Sequence, residues 1–201
     1  MKTFLLNIAR QIKRNFIQNY NCWLFHRKVI KQNGRISSIL IIQHPEYIEL
    51  GNNVRINTHC RIECYDEYLG VKLNPKLIIG NNVIIGPFFT GFIADSVTIG
   101  DRCLFAGNVT LISENHGINP EKSDSYQKEL LTTGPISIGA GCWLGQNVTI
   151  LPNVSIGKRC IVGANSVVNT DLPPFSIAVG SPARVIKRYN FQNHKWESQT
   201  N

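Results

Sequence analysis

CWLGQNVTILPNVSIGKRCIVGANSVV, residues 142–168, repeats itself every six positions. Leu144, Ile150, Ile156, Val162 and Val168 hold one phase, and a smaller residue (Cys142, Val148, Val154, Cys160 or Ser166) stands two places before each. A helix returns like residues after three or four positions, and an ordinary sheet alternates by two over a longer run. Neither gives a period of six. A triplet such as Val148-Thr149-Ile150 alternates in, out, in, as a short strand requires. The Gly that often follows (Gly145, Gly157, Gly163) reads as a corner, where glycine tolerates positive φ. A strand and a corner every six residues build a parallel β-helix, a solenoid in which each coil lies on the last.

The phase extends well beyond this stretch. It holds at Leu50, Ile56 and Ile62, at Ile79 and Ile85, and at Ile93, Ile99, Phe105 and Leu111, then resumes at Ile138. Gly51, Gly80, Gly86, Gly100 and Gly139 take the following position. Cys60, Cys103, Cys142 and Cys160 occupy the small inward position otherwise held by Val or Ser, where a thiol is a compact apolar filler. These four are core residues and neither disulfide partners nor metal ligands.

Between Leu111 and Ile138 the rhythm stops. Residues 113–135, SENHGINPEKSDSYQKELLTTGP, are polar and too many to pack inside a narrow prism, so they must project as a loop. Loops of this length in compact domains are often functional. His116 stands at its root, where the rigid coil still governs its position. If the insertion fills a single corner, Leu104, Trp143 and Ile161 fall on one face in successive coils about 4.8 Å apart. Thr98, Ser137 and Ser155 fall on another. An outward apolar ladder centred on Trp143 calls for a covering subunit or ligand.

Composition narrows the function classes. The chain of 201 residues fits one domain and carries a net charge of +8. Residues 1–35 hold eight Lys/Arg and no Asp or Glu, whereas the remainder holds thirteen of each sign. A nucleic-acid groove would need its charge on the folded body, so that class is set aside. The longest purely aliphatic run, Ile39 to Ile42, is far too short to span a bilayer. Asn7 and Arg10 interrupt the N-terminal apolar residues before they reach the length of a signal peptide. A cytoplasmic protein is expected. On a helical wheel Phe4, Leu5, Ile8, Ala9, Ile12 and Phe16 share one face, opposite Lys2, Arg10, Lys13 and Arg14. This basic amphipathic helix either caps the open end of the prism or rests on an anionic membrane surface.

With these features the chain resembles the hexapeptide-repeat acyltransferases over residues 45–188, most specifically over residues 142–188. Its sugar and polysaccharide O-acetyltransferase branch, including lipopolysaccharide, capsule, galactoside and maltose enzymes, is the nearest in pattern. The resemblance implies an all-β, left-handed parallel β-helix with an N-terminal helix, one long loop at 113–135 and a short C-terminal extension. The segments are then residues 1–35, 36–180 and 181–201. It also implies a homotrimer with active sites between subunits, and acetyl-CoA as acyl donor without a metal.

Acetyl transfer to a hydroxyl needs a base for the alcohol and a donor for the oxyanion. Neutral imidazole suits the first task near pH 7. By resemblance His116 is the base; Glu114 and Glu129 are candidate neighbouring carboxylates to orient it. A backbone N–H at Gly145 or Gln146 stabilises the oxyanion. Trp143, Ala164, Asn169, Arg184 and Lys187 match coenzyme A positions, the two cations facing its phosphates. Asn115, Phe89 and Thr90 are placed on the acceptor side. Galactoside-type relatives carry an Asn near residues 86–95, where this chain has Phe88, Phe89 and Thr90, so a galactoside acceptor is not carried over. Alternatives are N-acetylation of an amino sugar nucleotide and a non-catalytic scaffold. A zinc site would need converging histidines. His26, His44, His59 and His194 lie far from His116 in sequence.

Overall fold

A computed structural model describes residues 2–37, 40–117, 121 and 130–199. The predicted triplets form strands that pair in parallel, coil upon coil, into a left-handed β-helix. Among the described residues its three faces contain nine, six and five strands. The register keeps like positions together: Leu104 lies opposite Trp143 and Trp143 opposite Ile161 on the nine-stranded face. Thr98, Ser137 and Ser155 align on the five-stranded face. The insertion after Leu111 therefore does occupy one corner.

Inside the prism the aliphatic phase is sealed. Ile62, Ile85, Leu111, Leu144 and Ile150 are fully buried, and the inward Cys60, Cys103, Cys142 and Cys160 lie among them. Each of these thiols also donates to a carbonyl of the coil above, Cys103 to Gly139 at 3.3 Å and Cys142 to Gly157 at 3.1 Å. An S–H is thus an apolar filler that still satisfies a buried acceptor.

The corners correct one expectation. The glycines that follow the aliphatic residues do not adopt positive φ. That conformation falls two residues later, on Asn53, Asn82, Asn108, Asn147 and Asn165, with φ between 56° and 58°, and also on Phe88, Arg102, Gly141 and Arg159. Asn accepts the left-handed region better than most residues. The glycines are required by contact with the next coil. A Cβ on Gly100 would stand 2.6 Å from the Ala140 nitrogen, and one on Gly139 would stand 2.5 Å from the Lys158 nitrogen.

Two ends close the solenoid. Helix Lys2–Lys31 lays Phe25 and Val29, both buried, over its N-terminal opening. Lys28 fixes that end of the helix by donating to the carbonyls of Pro45 and Ile48 at 2.6 and 3.1 Å. At the other end the short C-terminal extension does not project away. Instead Ala183–Asn190 folds back antiparallel on Ser176–Gly180, and Lys195–Ser198 follows, extending the nine-stranded face. Phe175, Tyr189, Phe191 and Trp196 pack edge to face there, at centroid separations of 4.8 to 5.3 Å.

Gly139→Ala is expected to lower stability by about 1–3 kcal/mol, since backbone and not a mobile side chain must give way. Urea denaturation would read this as a lower midpoint with unchanged slope. Burial pushes the thiols of Cys60 and Cys64 up to about 11 and about 12. The reactive thiolate is then scarce at pH 8. Iodoacetamide at that pH should leave Cys60 and Cys64 unlabelled in the folded protein, and mass spectrometry should find all six cysteines labelled after unfolding.

Candidate active site

One corner of the prism, between the six-stranded and five-stranded faces, carries two excursions instead of the single loop expected. Residues 65–75 leave after strand Cys60–Cys64, and residues 113–135 leave after strand Thr110–Ile112. Only the short turn Ala94-Asp95 separates them along the corner. Buried Ser113 ties the levels together. Its Oγ accepts from the N–H groups of Ala94 (2.8 Å) and Asp95 (3.2 Å) and donates to the Phe92 carbonyl (3.3 Å). The chain re-enters beside its exit, where the Gly134 N–H donates to the Ser113 carbonyl at 3.0 Å.

From that anchor Glu114–His116 runs antiparallel to Leu130–Thr133. The register slips between Asn115 and His116, a bulge that re-aims the side chains beyond it. His116 is exposed and meets a residue from the other excursion. The ring of Tyr68 lies 5.7 Å away, with the planes inclined at 59°. Tyr68 sits on a tight hairpin of Glu67–Tyr68 against Val71–Lys72, turned by Leu69 and Gly70, both at positive φ. Tyr65, Tyr68, Glu114 and His116 together line a cleft of about 160 Å³. Asn115 is exposed beside it, and Glu129 lies outside the described residues.

The floor of this region is a polar network. Tyr65 donates its hydroxyl to Glu63 at 2.5 Å, and Arg61 pairs with the same carboxylate at 2.9 Å while lying over the Phe92 ring. Burial first, and then the hydrogen bond to Glu63, push the Tyr65 phenol well above its usual range. It remains a donor throughout the working pH range.

Thr90, predicted on the acceptor side, faces outward next to Arg61 in the register. Phe89 does not. It is fully buried, its ring 6.0 Å from that of Phe105, so the acceptor-side expectation for it is corrected. Strand parity explains this: if Thr90 points out, its neighbour points in. The exposed ring of the pair is Phe88, which stacks on His59 at 5.1 Å.

Of the residues expected on the donor side, all but Asn169 lie elsewhere. Trp143 is 49% exposed on the nine-stranded face, in an outward column of Ile84, Leu104, Trp143, Ile161 and Ile177 that ends at Lys187. Gly145, Gln146 and Ala164 occupy the corner next to it. A ladder of amides from Asn108 to Asn147 (2.9 Å) and Asn147 to Asn165 (2.8 Å) stiffens that corner. The N–H groups of Gly145 and Asn147 are engaged by the carbonyls of Val162 and Gly107. Among the described residues no backbone carbonyl takes the Gln146 N–H. Arg184 is exposed on the folded-back strand, donating to the Ala183 carbonyl. Asn169 is exposed on the corner that carries His116, two coils farther along. The six-stranded face thus separates His116 from Trp143, Gly145 and Gln146 within one chain.

Sequence reasoning missed Tyr65 and Tyr68. Their signal was the interval from Ile62 to Ile79, seventeen residues where the phase needs a multiple of six, with Leu-Gly at its centre. Ser113 carried no signal of its own.

Comparisons with known proteins bear on the family and the fold. The family model described as bacterial transferase hexapeptide (six repeats) matches residues 135–170. A protein of Escherichia coli named for O-acetyl transfer in lipopolysaccharide biosynthesis is 32% identical over 167 residues, 78% of this chain and 83% of that protein. The galactoside O-acetyltransferase of the same organism is 39% identical over 132 residues, 59% of this chain and 64% of that enzyme. Among solved structures, an N-acyltransferase from Bacillus cereus in complex with dTDP-4-amino-4,6-dideoxyglucose and coenzyme A superposes with a TM-score of 0.66. It is 27% identical, with 81% of this chain and 84% of that one covered.

Ser113→Ala should cost about 1–3 kcal/mol by leaving two amide donors without their acceptor. Amide hydrogen exchange would register the loss as faster exchange at Ala94 and Asp95.

Proposed function

The chain belongs to the hexapeptide-repeat acetyltransferases, and from that premise we propose that it transfers an acetyl group from acetyl-CoA to a sugar hydroxyl. The acceptor is a surface polysaccharide, lipopolysaccharide or capsule, or its precursor, met in the cytoplasm where acetyl-CoA is made. One observation carries the reading: an exposed His116, fixed at a bulged loop root, shares a cleft with Glu114 and two tyrosines. The E. coli relatives named for sugar O-acetylation support the choice of acceptor class.

His116 removes the hydroxyl proton as the sugar oxygen attacks the thioester carbon. The developing oxyanion is held by the Gln146 N–H, the donor of the Gly145-Gln146 pair that the coil ladder leaves unused. The carbon–sulfur bond then breaks, and the imidazolium returns its proton to the departing thiolate. Because His116 and Gln146 lie on different corners, the reaction needs two copies of the chain, as in a homotrimer with sites between subunits. The Trp143 column and Ala164 flank the pantetheine arm from one chain and Asn169 from the chain that supplies His116, while Arg184 and Lys187 face the phosphates. Tyr68 offers the acceptor sugar an aromatic wall beside the base, with Asn115 and Thr90 nearby.

The Bacillus cereus neighbour, an N-acyltransferase crystallised with an amino sugar nucleotide, favours a second reading, transfer to a sugar amine. Mild alkali separates the two, since it removes an ester and leaves an amide.

His116→Ala is expected to lower kcat about 10²–10⁴-fold with an unchanged melting temperature. A steady-state assay of thiol release from acetyl-CoA in the presence of glycan acceptors measures it. Activity within a few-fold of wild type would remove His116 from the mechanism.

A further inference from the structure

The prism cap uses one side of helix Lys2–Lys31 and leaves the opposite side unpartnered among the described residues. Capping falls to Cys22, Phe25 and Val29, three or four residues apart. Asn21, on the same side, reaches the Ile42 carbonyl. On the far side stand Ile12, Phe16, Tyr20, Trp23, Arg27 and Ile30, again three or four apart, and all are exposed. Phe16 is 71% and Ile12 64% exposed, values at which a solvated aromatic or aliphatic side chain has no packing role within the chain. Residues 10–17 are exposed on every side, so this half of the helix extends past the body it caps.

The helix's own charges are of one sign, and the acid nearest the C-terminal end of the stripe is Glu46, which lines a cavity with Arg27, Ile30 and Lys31. Lys13, Arg27 and Lys31 flank or join the stripe, Arg10 and Arg14 lie farther round the helix, and residues 1–35 hold no acid. Tyr20 and Trp23 stack at 5.9 Å, with the Arg27 guanidinium 4.9 Å from the Trp23 ring. Such rings place an apolar body and a polar tip at one level, as a headgroup boundary requires. Lys28, by contrast, is committed to the Pro45 and Ile48 carbonyls and belongs to the cap. No described helix is long and apolar enough to cross a membrane. A long helix of low overall hydrophobicity, apolar on one side and basic at its margins, lies in the bilayer surface.

We propose that this outward stripe docks the protein on an anionic lipid bilayer, with Ile12, Phe16, Tyr20 and Trp23 entering the headgroup boundary and the flanking Arg and Lys paired with lipid charge. Charge selects this occupant over a second copy of the helix. Pairing two such stripes would bring two helices without an acid of their own together, and like charges at contact oppose association. An anionic surface instead attracts each of them. The docking goes beyond acetyl transfer and does not depend on it.

Vesicle co-sedimentation of the full chain tests the assignment without any substrate. Wild type should bind vesicles of phosphatidylcholine mixed with phosphatidylglycerol at least about tenfold more tightly than phosphatidylcholine alone, and added salt should weaken that binding. Phe16→Glu with Trp23→Glu should abolish it at unchanged melting temperature. Lys13→Gln with Arg27→Gln should weaken it by about tenfold or more, on the basis of about fivefold per charge. Equal binding to neutral vesicles, no binding by wild type, or unaltered binding by the Glu variant would overturn the proposal. So would light scattering that shows a smaller assembly for the Glu variant, which would make the stripe a contact between copies.

Discussion

Each coil of this solenoid rests on its neighbour at points where no side chain fits. Gly51, Gly100, Gly139 and Gly145 bring one corner's backbone against the next, and a Cβ there would overlap main-chain atoms. This closeness lets the strands share parallel hydrogen bonds and keeps Ile62, Leu111 and Ile150 in one sealed column. It also makes the prism stiff. A residue at a corner is then located by its coil number and its phase, and a loop can be added at a corner without disturbing the coils on either side. Residues 65–75 and 113–135 are additions of that kind, and both emerge at one corner.

Much of this was legible in the sequence because the constraint is periodic. The phase of Leu144, Ile150, Ile156 and Val162 dictates strands, faces and the column through Leu104, Trp143 and Ile161. The position of the positive-φ residues was misassigned, since glycine serves both conformational freedom and close approach and the sequence does not say which. Here close approach claims the Gly that follows an aliphatic residue, and the left-handed turns fall two places on, often to Asn but also to Phe88, Arg102, Gly141 and Arg159. Phe89 was misplaced because the interval from Ile85 to Ile93 is eight residues, and the two extra positions obscure strand parity. Tyr68 was out of reach for a different reason. Its meeting with His116 joins two aperiodic segments forty-eight residues apart, and no local pattern encodes such a contact.

The arrangement divides labour between regular and irregular parts. The regular faces display the Trp143 column and the Asn108-Asn147-Asn165 amide ladder, surfaces repeated at the coil spacing and suited to a long flexible arm. The irregular corner brings together His116, Glu114, Tyr65 and Tyr68, a compact group suited to one small polar acceptor. With the six-stranded face between them, the proposed chemistry requires a second chain to bring the two parts together. The N-terminal helix adds a third surface that serves neither.

The most direct measurement is a crystal structure of the protein with coenzyme A bound. The thiol sulfur should lie beside the His116 imidazole of one chain, with the pantetheine arm running along the Trp143 column and Gln146 of another. A thiol terminus remote from every His116, or an arm held wholly within one chain, would contradict the mechanism.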